Sequence, residues 1–194
     1  SYKVVFNGDG YSDEWKEEAA RRGLLNLPST LDALRMMPSE KNKELFARLK
    51  VLNEREFEAR YEIFLEQYYK TINIEANSVQ QIGHTMILPA AVRYINELAA
   101  VVDRGKQLGI STKGTEQLLA QVSGLVDDLV ERLDALEKQN LAHVDDEPLA
   151  LAQHAREQVI PAMNAVRDVA DRLERVLPDD YWPLPTYREM LFVK

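Results

Sequence analysis

Residues 53–104 read NEREFEARYEIFLEQYYKTINIEANSVQQIGHTMILPAAVRYINELAAVVDR, the longest uninterrupted helical pattern in the chain. Phe57, Tyr61, Phe64, Leu65, Tyr68, Ile72, Val79, Ile82, Met86, Ala90, Tyr94, Leu98 and Val102 recur at steps of three, four or seven. That spacing keeps one apolar stripe on one face of a helix. Asn53 can cap the first free amides, Glu56 can reach back to complete a capping box, and Leu52 can staple against Phe57. Gly105 offers a left-handed stop. At about 1.5 Å per residue the helix spans roughly 75 Å, about twice what one small domain needs. It is therefore expected to act as the spine of two packing layers.

Upstream of the spine, Tyr2 to Phe6 (YKVVF) reads as a β-strand, followed by the turn residues Asn7-Gly8-Asp9-Gly10. No second convincing strand follows. A lone strand leaves backbone donors and acceptors unpaired. Together with a first residue other than methionine, this leads to the expectation of a domain cut from a longer polypeptide. Ser12 should cap a helix with an acidic first turn, running through Trp15 to Arg22 and ending at Gly23. Thr30 should cap a short turn from Leu31 to Met36, and Ser39 a helix from Glu40 to Leu49. Helices this short do not stand alone and are expected to pack on the aromatic first half of the spine.

Downstream, the stretch from Thr115 to Asn140 carries Leu119, Val122, Val126, Leu129, Leu133 and Leu136 as a coiled-coil-like seam. A third long helix opens at Asp145 or Asp146 with Pro148 in its first turn, and Pro178 ends it. Its stripe is Leu151, Ala155, Val159, Ala162, Val166, Val169, Leu173 and Val176. The predicted fold is mainly α: an antiparallel up-down-up bundle of three long helices, with short N-terminal helices and a docked C-terminal tail. By segment, 1–52 holds the strand remnant and short helices, 53–177 the bundle, and 178–194 the proline-aromatic tail. In that tail Thr186 and Glu189 form a capping-box pair opening a short helix through Leu191 and Phe192. Ile87-Leu88-Pro89-Ala90 echoes Val159-Ile160-Pro161-Ala162, so the two prolines should bend their helices at similar heights. Chance likeness in an alanine-rich background is the alternative.

Hydrophobic residues make up 45% and charged residues 29% of the chain, ordinary for a globular protein and too apolar for disorder. The formal charge is −8, from 32 acidic and 24 basic residues. No basic block appears, which argues against a nucleic-acid partner. With no cysteine, disulfides and thiolate chemistry are excluded, and a reducing, cytoplasmic setting fits. No apolar run approaches the ~18 residues of a membrane span, so no membrane partner is expected. Asn7 to Gly10 lacks the lysine and hydroxyl residue of a P-loop and reads as a plain turn. The histidines are His84, His143 and His154, with no Glu-x-x-His pair to suggest a di-iron site. His143 with Asp145 and Asp146 could hold a metal weakly, though a solvated loop explains them better. Glu75 falls on the apolar stripe, where a buried carboxylate would need a partner such as Arg93 or Arg167. No catalytic, cofactor-binding or metal residue is assigned.

Four collinear stretches carry a resemblance: FNGDGYSDEW (6–15), RYEIFLEQYYKTINIEAN (60–77), ILPAAVRY (87–94) and WPLPTYREMLFVK (182–194). The chain resembles the C-terminal region of type III glutamine synthetases over nearly its whole length, more weakly from about Lys106 to Glu147. The resemblance implies a parent enzyme that makes glutamine from glutamate, ammonia and ATP. Such enzymes use a divalent metal (Mg or Mn) and assemble as large double-ringed oligomers. It also implies an upstream catalytic domain on the same chain, because the family's metal and nucleotide motifs lie upstream. Its N-G-x-G-x-H-x-H motif is not Asn7 to Gly10, since Tyr11, Ser12 and Asp13 stand where histidines are needed. The isolated segment is thus expected to be architectural and inactive, with Trp15, Tyr181, Trp182 and the kinked centre of the spine as docking contacts. A free-standing interaction bundle is the rival reading, and an independent metal-dependent enzyme a weaker one.

Overall fold

Ser12 accepts a hydrogen bond from the Trp15 amide at 3.3 Å and closes the first turn of helix α1, Asp13–Arg21. The computed structural model describes residues 2–142 and 144–191; it is mainly helical, and among those residues there is no β-strand. It divides into two compact units, Ser1–Tyr68 and Tyr69–Lys194.

The first unit contains α1, α2 (Thr30–Met36), α3 (Glu40–Arg48) and the start of α4 (Glu54–Ile82). Asn53 and Glu56 form the expected reciprocal box. The Glu56 amide donates to Asn53 Oδ1 at 3.0 Å, and the Asn53 amide to Glu56 Oε2 at 2.8 Å. Ser29, rather than Thr30, caps α2, accepting from the Asp32 amide at 3.2 Å. Leu31, Leu34, Phe57 and Leu65 are buried, and the Phe46 ring lies 5.4 Å from that of Phe57.

The N-terminal segment corrects the sequence reading. Tyr2–Val4 is a single 3-10 turn, not a strand. Arg22 Nη1 donates to the carbonyls of Val5 at 2.7 Å and Lys3 at 3.3 Å. One guanidinium supplies donors that a neighbouring strand would otherwise have supplied, and its planar fork suits that task. Phe6 stacks on Trp15 with ring centroids 4.7 Å apart, and the Arg22 guanidinium carbon lies 5.5 Å from the centre of the Trp15 ring. The argument from an unpaired strand therefore falls.

The second unit continues α4 into a π turn, Gly83–Ile87, and then α5, Leu88–Leu108. After α6 (Lys113–Asn140) come α7 (Pro148–His154), a second π turn (Ala155–Val159), α8 (Ile160–Glu174) and α9 (Tyr187–Leu191). α6 packs on both α5 and α8. Val122, Leu125, Leu129, Leu133 and Leu136 of α6 are buried, as are Val159, Val166, Val169 and Leu173. Leu125 replaces the expected Val126, which is half-buried.

Both π turns end two residues before a proline. The Leu88 amide bonds the Gly83 carbonyl, and the Ile160 amide bonds the Ala155 carbonyl, five residues back in each case. A proline ring clashes with the carbonyl four residues earlier in a regular helix. A wider turn moves that carbonyl aside at the cost of one extra residue. That residue explains a misreading of the stripe, since Ile87 is 4% exposed whereas Met86 is 36% exposed.

Other expectations are corrected by the same geometry. Gly105 does not stop the helix; it is buried within α5, and Gly109 at φ 65° forms the left-handed stop. Glu75 is exposed and needs no buried partner, because Ala76 occupies the core line. The helical run Glu54–Leu108 is long and apolar enough to cross a membrane by length and composition alone, correcting the expectation that no apolar run was so long. Within the protein Ile87, Ala90, Ala91, Leu98 and Val102 of that run are buried.

Candidate functional site

Tyr181 and Trp182 are placed by a tight turn in which both their amides bond the Pro178 carbonyl, at 2.9 and 3.1 Å. The last long helix ends at Glu174, four residues before the expected stop at Pro178, and that proline fixes the backbone of the following turn, so the aromatic pair leaves it in a defined direction. The Tyr181 ring packs 5.5 Å from that of Tyr94, and its hydroxyl donates to Glu97 Oε2 at 2.5 Å. That bond to a carboxylate, with some desolvation, raises the Tyr181 phenol above its ordinary value. Thr186 and Glu189 cap α9 as expected: the Thr186 amide donates to Glu189 Oε2 at 2.8 Å, and the Glu189 amide to Thr186 Oγ1 at 3.3 Å. Phe192, expected in the same helix, lies outside the described residues.

Trp182 and the kinked centre of the spine come together. A groove of about 430 Å³ is walled by Val79, Ile82, Gly83 and Ile87 from the kink, Val166 and Ala170 from α8, and Trp182, Leu184, Pro185 and Met190 from the tail. Arg167, Asp171 and Glu174 of α8 also line it. The tail thus docks within its own unit, as the aromatic content of the terminus required. Gly83 is needed here because a Cβ would stand 2.6 Å from Leu133 Cδ2.

Two side-chain ties precede the π turns. Asn73 Nδ2 donates to Asn140 Oδ1 (2.9 Å), Asn140 Nδ2 to Asn77 Oδ1 (2.8 Å), and Asn77 Nδ2 to Asn73 Oδ1 (3.3 Å). The three amides close a ring in which each donates once and accepts once. Beside it, His154 Nε2 lies 2.8 Å from the Gln139 carbonyl. A carbonyl only accepts, so Nε2 carries the proton. These ties engage Asn73 and Asn77, two polar residues in the middle of the spine.

Trp15 belongs to the first unit and is engaged by Phe6 and Arg22. Beneath it Glu18 accepts from Arg22 Nε at 2.5 Å and also pairs with Arg21, and these bonds hold its carboxyl below the usual range. Alongside lies a second groove, walled by Tyr11, Trp15, Leu24 and Leu25. Asn7–Gly10 forms a local turn in which Asp9 Oδ1 accepts from the Tyr11 amide at 2.9 Å. Among the described residues no three His, Asp or Glu side chains sit together to hold a metal; His143 lies outside them.

A family model described as the glutamine synthetase C-terminal domain matches residues 1–106. A Type-3 glutamine synthetase from Dictyostelium discoideum is 41% identical over 200 residues, covering 99% of this chain and 27% of that protein. A glutamine synthetase from Bacteroides fragilis (strain YCH46) is 33% identical, covering 100% of this chain and 28% of the relative. One from Butyrivibrio fibrisolvens is 32% identical, with 98% and 28% covered. The chain therefore spans little more than a quarter of the length of these curated relatives.

Proposed function

This chain belongs to the glutamine synthetase C-terminal domain family, and on that premise we propose that it is the architectural domain of a long, ATP-dependent glutamate–ammonia ligase. The observation that carries the reading is similarity over 99% of the chain to a type-3 enzyme that extends far beyond it. In the parent, ATP would phosphorylate the substrate γ-carboxylate and ammonia would displace the phosphate. Phosphoryl transfer of that kind needs metal and charge clamps on the phosphates. We assign those groups, with Mg or Mn, to an upstream catalytic domain on the same chain.

The domain's own task on this reading is to brace the catalytic domain, in a cytoplasmic homo-oligomer with no membrane or nucleic-acid partner. Its three long helices are read as running up-down-up over 53–177, with 1–52 as the N-terminal attachment and 178–194 as the docked tail. The apolar stripe of the spine serves helix packing rather than lipid, which the burial of Ala90 and Leu98 supports. ATP-dependent glutamine formation by the full-length parent tests the assignment. Activity that requires the parent and is missing from residues 1–194 alone is the expected result. A folded, metal-supplied parent that forms no glutamine would overturn it and move a free-standing interaction bundle ahead.

A further inference from the structure

We infer that the open groove beside Trp15 is the seat on which the catalytic domain of the same polypeptide docks, an inference that rests on the ligase reading above. The groove has a volume of about 500 Å³, and Gly10, Tyr11, Trp15, Leu24 and Leu25 line it. Tyr11 is 94% exposed and Leu25 67% exposed, large apolar groups for a surface with no occupant. Trp15 is held rigidly, stacked on Phe6 and capped by Arg22. An aromatic wall fixed beforehand loses little side-chain freedom when a partner arrives, and aromatic residues are enriched at the centres of protein interfaces.

The occupant follows from where the rest of the parent must attach. A C-terminal domain receives its upstream polypeptide at its own N-terminal end. Here that end is the segment Arg22 grips through the carbonyls of Lys3 and Val5. Val4 and Val5 are 64% and 53% exposed on the same segment. A domain tethered upstream on the same polypeptide meets the groove at an effective concentration no free partner matches. Most of the length of the relatives lies outside this chain, so a tethered surface of sufficient size is available. The chemistry of the groove asks that surface for an apolar or aromatic segment. The corresponding groove of the second unit differs, because Trp182 and Pro185 of the chain's own tail already wall it.

The test places a photo-reactive benzophenone amino acid at position 11 of the full-length parent, followed by irradiation, denaturing gel and peptide mapping. The expected product has monomer mass and joins position 11 to a peptide upstream of this domain. Leu25→Asp should reduce its yield about tenfold while helix content stays constant. A dimer-sized product would place a second copy in the groove and overturn the inference. An active parent that yields no cross-link at all would do the same while leaving the ligase reading intact, whereas an inactive parent counts against that reading itself.

Discussion

The π turns at Gly83–Ile87 and Ala155–Val159 share a backbone and differ in their opening residue. Each precedes a proline by two positions, each returns an amide to a carbonyl five residues back, and each follows a side-chain tie to the end of α6. Ala155 nevertheless carries a Cβ and is 5% exposed, whereas Gly83 has none because Leu133 occupies that space. The proline motif thus dictates the local wind, and the packing partner dictates which side chain the turn can open with. Neither cause substitutes for the other.

The most severe way to break this comparison is Leu133→Ala, which empties a fully buried site against the Gly83 turn. Thermal or denaturant unfolding should show a loss of about 2–5 kcal/mol. Next comes an exchange of the opening residues. Gly83→Ala forces a methyl group into Leu133 and should cost about 1–3 kcal/mol, while Ala155→Gly should cost only about 0.5–1 kcal/mol through backbone freedom. Equal effects at the two sites would show that close approach does not distinguish the turns.

The ties give smaller effects. Asn140→Ala opens the amide ring before the first turn, and because Asn73 and Asn77 are exposed, water can replace their lost bonds; a loss of about 0.5–1 kcal/mol is expected in chemical denaturation. The smallest effect is a titration rather than a stability change. Glu97 holds the Tyr181 phenol neutral, so the stability it lends is present in full below the ordinary tyrosine value and is lost as pH rises through the raised one. Glu97→Gln should let this tyrosine ionise at lower pH than in the parent sequence, read by tyrosinate absorbance. An unchanged alkaline titration would remove Glu97 as the cause.

These outcomes also mark what the residues disclosed in advance. Helices were legible wherever a local rule acts within a few residues, as with Asn53 and Glu56, Ser12, or Thr186 and Glu189. The echo of the two proline motifs was legible too, but not the wider turn it produces, so Met86 was placed where Ile87 belongs. A stripe counted at constant pitch fails at any inserted residue. Tyr2 to Phe6 was misread because β-propensity looks only along the chain, whereas the bonds that decide it come from Arg22. Gly105 was read as the stop, but it lies buried within α5 where an added Cβ would run into Thr112, and Gly109 takes the left-handed position instead. Of the residues expected as docking contacts, Trp182 lies against the kinked centre of its own unit. The groove at Trp15 was not foreseen, since Leu24 and Leu25 gain meaning only once α1 folds beside them.

The matched π turns have a genetic consequence. Each acts as a single-codon insertion, and a codon added to a helix swings everything beyond it by about 100°. One insertion alone would point half of a helix's apolar residues at solvent. Each wide turn instead absorbs its own extra residue, so beyond the proline each helix still turns its apolar face to α6. Deleting one residue from either turn should therefore be far more damaging than any substitution there, and deleting one from both should be more damaging still.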